Sequence, residues 1–187
     1  MGFNDLIYNF TPVDAHQWAT RFVSTKDFPD IQKIIIPQAV NNIIKAKNSL
    51  IAQGVPPQNI YIFNLPDITL TPFFLAATTF LPYVRYMMKT DVIQFNSALT
   101  QALQNETTNR LPTNHIIDVY SLLNDMVENK NKYSLTNVDK SCIDKKGGYP
   151  YCNGYLFAQG KHPSTAVHQF IAELVENTLV TNANRTV

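Results

Sequence analysis

The run from Val40 to Phe63 constrains the fold most. Val40, Ile43, Ile44, Leu50 and Ile51 keep close to helical spacing, and Gly54 stands where a helix ends, with Pro56 and Pro57 preventing its continuation. Ile60-Tyr61-Ile62-Phe63 then reads as a short, continuously apolar strand of the kind buried in a parallel sheet. Helix, tight turn, buried strand and Pro-containing loop together make an α/β unit.

The rest of the chain is consistent with that class. Pro29 and Pro37 bracket a short apolar segment, Ile34-Ile35-Ile36. Asp91 is placed to cap a helix carrying Val92, Phe95, Leu99 and Leu103, and Ile116-Ile117-Asp118-Val119-Tyr120 reads as a second buried strand. Residues 121–129 are expected to be helical, and 130–155 to form a long polar connection. Ser164, after Pro163, suits a helix N-cap, because Val167, Phe170, Ile171, Leu174 and Val175 follow along one apolar face. Between residues 70 and 90, Phe73, Phe74, Leu75, Phe80, Leu81, Tyr83, Tyr86, Met87 and Met88 form a dense apolar cluster. It reads as core or a sheet-covering helix, or else as a wall for an acyl chain.

Composition narrows the function classes. A chain of 187 residues with 45% hydrophobic and 16% charged residues suits one globular domain with a buried core. A net charge of +1 gives no field that would gather nucleic acid, which is not expected as a partner. Residues 1–10 lack the basic start and apolar run of a secretory signal. The apolar stretch from Leu70 to Val84 is interrupted by Pro72, Thr78, Thr79 and Pro82 and is too short to span a bilayer. Cys142 and Cys152 are the only cysteines, and their spacing fits no common zinc pattern, so no metal site is assigned. The segment between them holds Gly147, Gly148 and Pro150 and can turn back on itself to allow a disulfide. The alternative is a pair of reduced thiols in a cytosolic protein. His16 and His115 have no motif around them, and His168 reads as structural.

Three blocks carry a resemblance. Tyr155-Leu156-Phe157-Ala158-Gln159-Gly160-Lys161-His162-Pro163-Ser164 resembles the last block of the SGNH (GDSL) ester hydrolases, which usually reads L-F-W-D-x-x-H-P-[TS]. Gly2-Phe3-Asn4-Asp5 is similar to the family's G-x-N-D block, and Asn64-Leu65-Pro66-Asp67 resembles its N-L-P-P/D segment. In order and distance the blocks cover nearly all of the chain.

The resemblance implies a flavodoxin-like three-layer sandwich, a parallel sheet with helices on both faces. In that family the serine block precedes G-x-N-D, so residues 1–187 read as one N-terminally truncated domain whose first strands are missing. His162 falls on the catalytic base, and Asn4 on the residue that donates to the oxyanion hole. Gln159 stands where the family has the Asp that orients the imidazole. No nucleophile is assigned, because none of Ser24, Ser49, Ser97, Ser121, Ser134, Ser141 and Ser164 lies in a G-D-S-like turn between strand and helix.

The implied function is that of the C-terminal part of a lipase or acylhydrolase for (phospho)lipid carboxylic esters, without a cofactor and inactive alone. One alternative is half of a split esterase completed by a separate N-terminal chain. Another is a non-catalytic lipid-binding protein. Secreted members often carry a Cys pair just before the histidine block, which favours a Cys142–Cys152 disulfide and an exported parent protein.

Overall fold

The computed structural model describes residues 31–112, 114–143 and 152–183. The G-x-N-D block with Asn4, together with His16 and Ser24, lies outside the described residues. Two compact units are present, one formed by residues up to Leu65 with Thr90–Ile116, the other by Pro66–Lys89 with the residues from Ile117 onward.

In the first unit a π-helical turn, Ile31–Ile35, leads into helix α1 (Ile36–Ala52), which buries Ile36, Ala39 and Val40. Gly54 ends it as the sequence predicts: its φ is +92°, a value that favours glycine, and its N–H donates to the Ile51 carbonyl at 2.9 Å. Lys47 is buried on α1, where its ammonium meets the Glu106 carboxylate and donates to the Asn109 carbonyl at 2.8 Å.

Strand β1 covers only Ile62–Phe63. The four-residue buried strand expected there is shorter and less covered than its apolar run suggests, since Ile60 closes a 3-10 turn (Pro57–Asn59) and Phe63 is 49% exposed. The Ile62 N–H donates to the His115 carbonyl at 2.9 Å. His115 is buried, stacks on Tyr61 with ring centroids 4.2 Å apart, and places Nδ1 2.9 Å from the Ile60 carbonyl oxygen. It therefore pins the strand, a structural role with no sequence signal. Asn96 acts similarly just beyond, accepting from the Leu65 N–H and donating to the Leu65 carbonyl, both at 2.8 Å.

Two expected boundaries move. Helix α2 (Pro72–Ala77) is followed by a single long helix α3 (Pro82–Asn105), so Asp91 is a buried mid-helix residue and not an N-cap. Pro82 supplies the start, since a first helical residue has no intrahelical use for an N–H. Strand β2 (Ile116–Ile117) stops there because Asp118 caps helix α4 (Val119–Glu128), accepting from the Ser121 N–H at 3.0 Å and the Ser121 hydroxyl at 2.6 Å.

The second unit carries a three-stranded sheet of β3 (Asn137–Ser141), β4 (Tyr155–Gln159) and β5 (His162–Pro163), in the order β3-β4-β5. β3 and β4 are parallel, while β4 and β5 are antiparallel. Strand β3 lies within the stretch expected to be a polar connection. Its one aliphatic residue, Val138, gives the sequence little periodicity, and the ladder to β4 decides its conformation. Met126, Leu135, Leu156, Phe157 and Val167 form the core under this sheet, with Phe170 and Ile171 of helix α5 (Thr165–Ala183) packed against them. Cys142 and Cys152 are disulfide-bonded, with Cα atoms 5.5 Å apart.

The chain is thus mixed α/β, with β1 and β2 in a parallel sheet and a further mixed sheet, an arrangement compatible with part of an SGNH fold.

Candidate active site

The candidate site is a hairpin. Strand β4 buries Leu156 and Phe157 and emerges at Gln159. Gly160 and Lys161 turn the chain, and Gly160 has φ +38° at the first central position, where a tight hairpin calls for glycine. His162 returns opposite Gln159, held in a two-residue strand. Directly opposed residues of an antiparallel pair point to the same face. Both side chains are exposed, and they are not hydrogen-bonded to each other.

Several contacts fix this turn. The Gly160 N–H donates to Ser141 Oγ at 2.8 Å, and the Gly160 carbonyl accepts from the Phe73 N–H at 3.2 Å. Lys161 Nζ lies 4.2 Å above the Phe73 ring, and burial lowers the Lys161 pKa from its ordinary value. The Cys142 and Ile143 N–H groups donate to the Phe157 and Ala158 carbonyls at 3.0 and 2.9 Å, so the end of β3 beside the disulfide is tied to β4.

Beyond Pro163 the backbone is equally held. The buried Ser164 donates its N–H to the Leu156 carbonyl at 2.9 Å, and its Oγ accepts from the Val167 N–H at 3.4 Å. It caps α5 as expected. His168 is exposed on that helix.

Each described serine with a side-chain partner has a structural one. Ser49 and Ser97 accept from Gln53 and Gln101 one helical turn on, Ser121 bonds Asp118, Ser141 holds the Gly160 turn, and Ser164 caps a helix. Ser134 adopts a left-handed backbone with φ 54° at the end of a 3-10 turn. Among the described residues, no three His, Cys, Asp or Glu side chains come together as a metal site.

Asp67, in the N-L-P-D segment, is fully buried and accepts from the Thr69 N–H at 3.0 Å and the Thr69 hydroxyl at 2.6 Å, with Lys89 Nζ at 3.3 Å. It orders the loop before α2. Burial first, and the Asp67 charge next, raise the Tyr120 pKa from its ordinary value. The apolar cluster of residues 70–90 divides. Phe74 and Met88 belong to the core, whereas Phe80, Tyr83 and Tyr86 are exposed.

The contacts of Ser141 and Phe73 with the turn cross between distant segments and leave no local pattern in the sequence.

No family model matches the chain. It is 25% identical over 194 residues to a GDSL esterase/lipase of Arabidopsis thaliana, an alignment taking in 94% of the chain and 50% of the relative. The similarity supports the GDSL esterase/lipase family. The chain spans about half the length of the curated relative it matches.

Proposed function

We propose that the chain carries the histidine-bearing part of a GDSL-type lipase or acylhydrolase that acts on lipid carboxylic esters. The observation carrying this reading is the hairpin: Gln159 and His162 are opposed at its turn, and Pro163 and a Ser164-capped helix follow. Similarity to the Arabidopsis GDSL esterase/lipase over nearly the whole chain supports it.

In this reading His162 is the general base that takes the proton of a serine hydroxyl, and Asn4 donates to the oxyanion of the tetrahedral intermediate. The serine lies outside these 187 residues in this reading, in a part of the enzyme that completes the parallel sheet of a flavodoxin-like sandwich. Gln159 occupies the position of the orienting carboxylate. Its amide oxygen has the chemistry to accept a hydrogen bond from imidazole Nδ1–H once the two side chains turn toward each other, but it contributes no charge to stabilise the imidazolium. In serine proteases the comparable Asp-to-amide change lowers turnover by about 10⁴, or roughly 5.5 kcal/mol of barrier. The 187 residues alone are therefore inactive on esters in this reading.

The test is hydrolysis of short acyl esters by the purified chain, by its His162→Ala variant, and by each co-expressed with the serine-bearing half of a GDSL lipase. Equal background rates for the two single chains, and a His162-dependent rate in the complex, support the reading. A soluble complex whose hydrolysis is indifferent to His162→Ala overturns it.

A further inference from the structure

Within the second unit, α2, the start of α3, the end of α4 and strand β3 enclose an open groove of about 430 Å³, within the ordinary size range of small-molecule sites. Leu75, Ala76 and Val138 are among its apolar walls, while Arg85, Asp139 and Lys140 line it with charge. Neither Arg85 nor Lys140 has a carboxylate partner among the described residues, whose ion pairs are Lys47–Glu106, Lys89–Asp67 and Lys132–Asp125. We infer that this groove binds a single acyl chain ending in a carboxylate, a fatty acid anion, at a site separate from the His162 hairpin.

The chemistry of the lining selects that ligand. The apolar walls gain from each methylene they cover. Two cations against one carboxylate leave a single net positive charge, which matches a monoanion better than a phosphate dianion. The guanidinium of Arg85 is exposed and presents the planar fork that recognises a carboxylate through two hydrogen bonds. Strand β3, which lines the groove, and strand β5, which carries His162, are the two edges of the sheet. The inference does not depend on the hydrolase reading.

The test is calorimetric titration of the full chain with decanoate below its micelle concentration. Decanoate is expected to bind about tenfold tighter than octanoate, because two further methylenes are covered. It should also bind at least about tenfold tighter than decanol, which lacks the charge. Arg85→Gln, at an exposed position, should bring decanoate to the affinity of decanol. Ala76→Trp, also at an exposed position, should fill the groove and abolish binding of both ligands. Thermal melts of both variants matching the parent chain make these losses local. Any of three results overturns the inference: no binding of decanoate to the parent chain, unchanged binding in both variants, or tighter binding of decyl phosphate than of decanoate. His162→Ala should leave the affinity unchanged, and a loss there would move the ligand to the hairpin and also overturn a separate site.

Discussion

Gln159 and His162 face each other across the β4–β5 turn, with only Gly160 and Lys161 between them. A carboxylate introduced at residue 159 would therefore share a face with the imidazole and stabilise its protonated form. In a complex with a serine-bearing half, Gln159→Asp is expected to raise the His162-dependent rate on esters by up to about 10³–10⁴. Steady-state kinetics of the two complexes measure this. An unchanged rate would remove residue 159 from the catalytic arrangement.

The Cys142–Cys152 bridge closes a loop at the end of β3, where Ser141 holds the Gly160 turn. Replacing both cysteines by serine should lower stability by about 2–3 kcal/mol, the loop-closure effect for a segment of this length. Denaturant melts of the oxidised chain and the double variant give that difference. Mass spectrometry of unreduced peptides should show residues 142 and 152 linked, and freely alkylated thiols in protein from an oxidising compartment would contradict the bridge.

Gly154 has φ +78°, and a Cβ built there would lie 2.8 Å from Thr136 Oγ1. Its carbonyl also accepts from the Thr136 and Asn137 N–H groups at 2.8 and 2.9 Å, which starts the pairing of β3 with β4. Gly154→Ala therefore combines a strained backbone with a clash and should cost about 1–3 kcal/mol. Pairing it with Thr136→Gly removes the clash but not the strain, so part of the loss should return. A Gly154→Ala melt equal to the parent would contradict this geometry.

Features set by neighbouring residues are legible in the sequence. The helix stop at Gly54, the Ser164 cap and the apolar face from Val167 follow from local rules, and the structure has all three. That Gln159 stands where an Asp is expected is a reading from the resemblance alone. What escapes is decided by distant partners. Asp91 has the chemistry of a cap but lies inside α3, because nothing between Pro82 and Asp91 interrupts the helix. Strand β3 is polar in sequence and extended because β4 pairs with it. His115 and Phe73 act through backbone groups far away in the chain, which no spacing announces.

Asp125 gives a pH dependence with a definite sign. Hydrogen bonds from Lys132, Tyr133 and Asn129 lower its pKa from 3.8 to about 2. The Lys132 ammonium donates to Asp125 Oδ2 at 2.6 Å, the Asn129 amide to Oδ1 at 2.6 Å, and the Tyr133 hydroxyl also reaches Oδ2. A carboxyl whose folded pKa is depressed contributes stability above its unfolded pKa, and loses that contribution as pH falls through the folded value. The window is therefore from about pH 4 down to about pH 2. The parent chain should melt above Asp125→Asn at pH 6, and the gap should close as pH falls through that window. Tyr133 also packs edge-on against Phe170 of α5, with centroids 5.1 Å apart, so melting followed through the α5 signal should report the same loss. A gap that stays constant from pH 6 to pH 2 would mean that the Asp125 charge contributes nothing to the folded state.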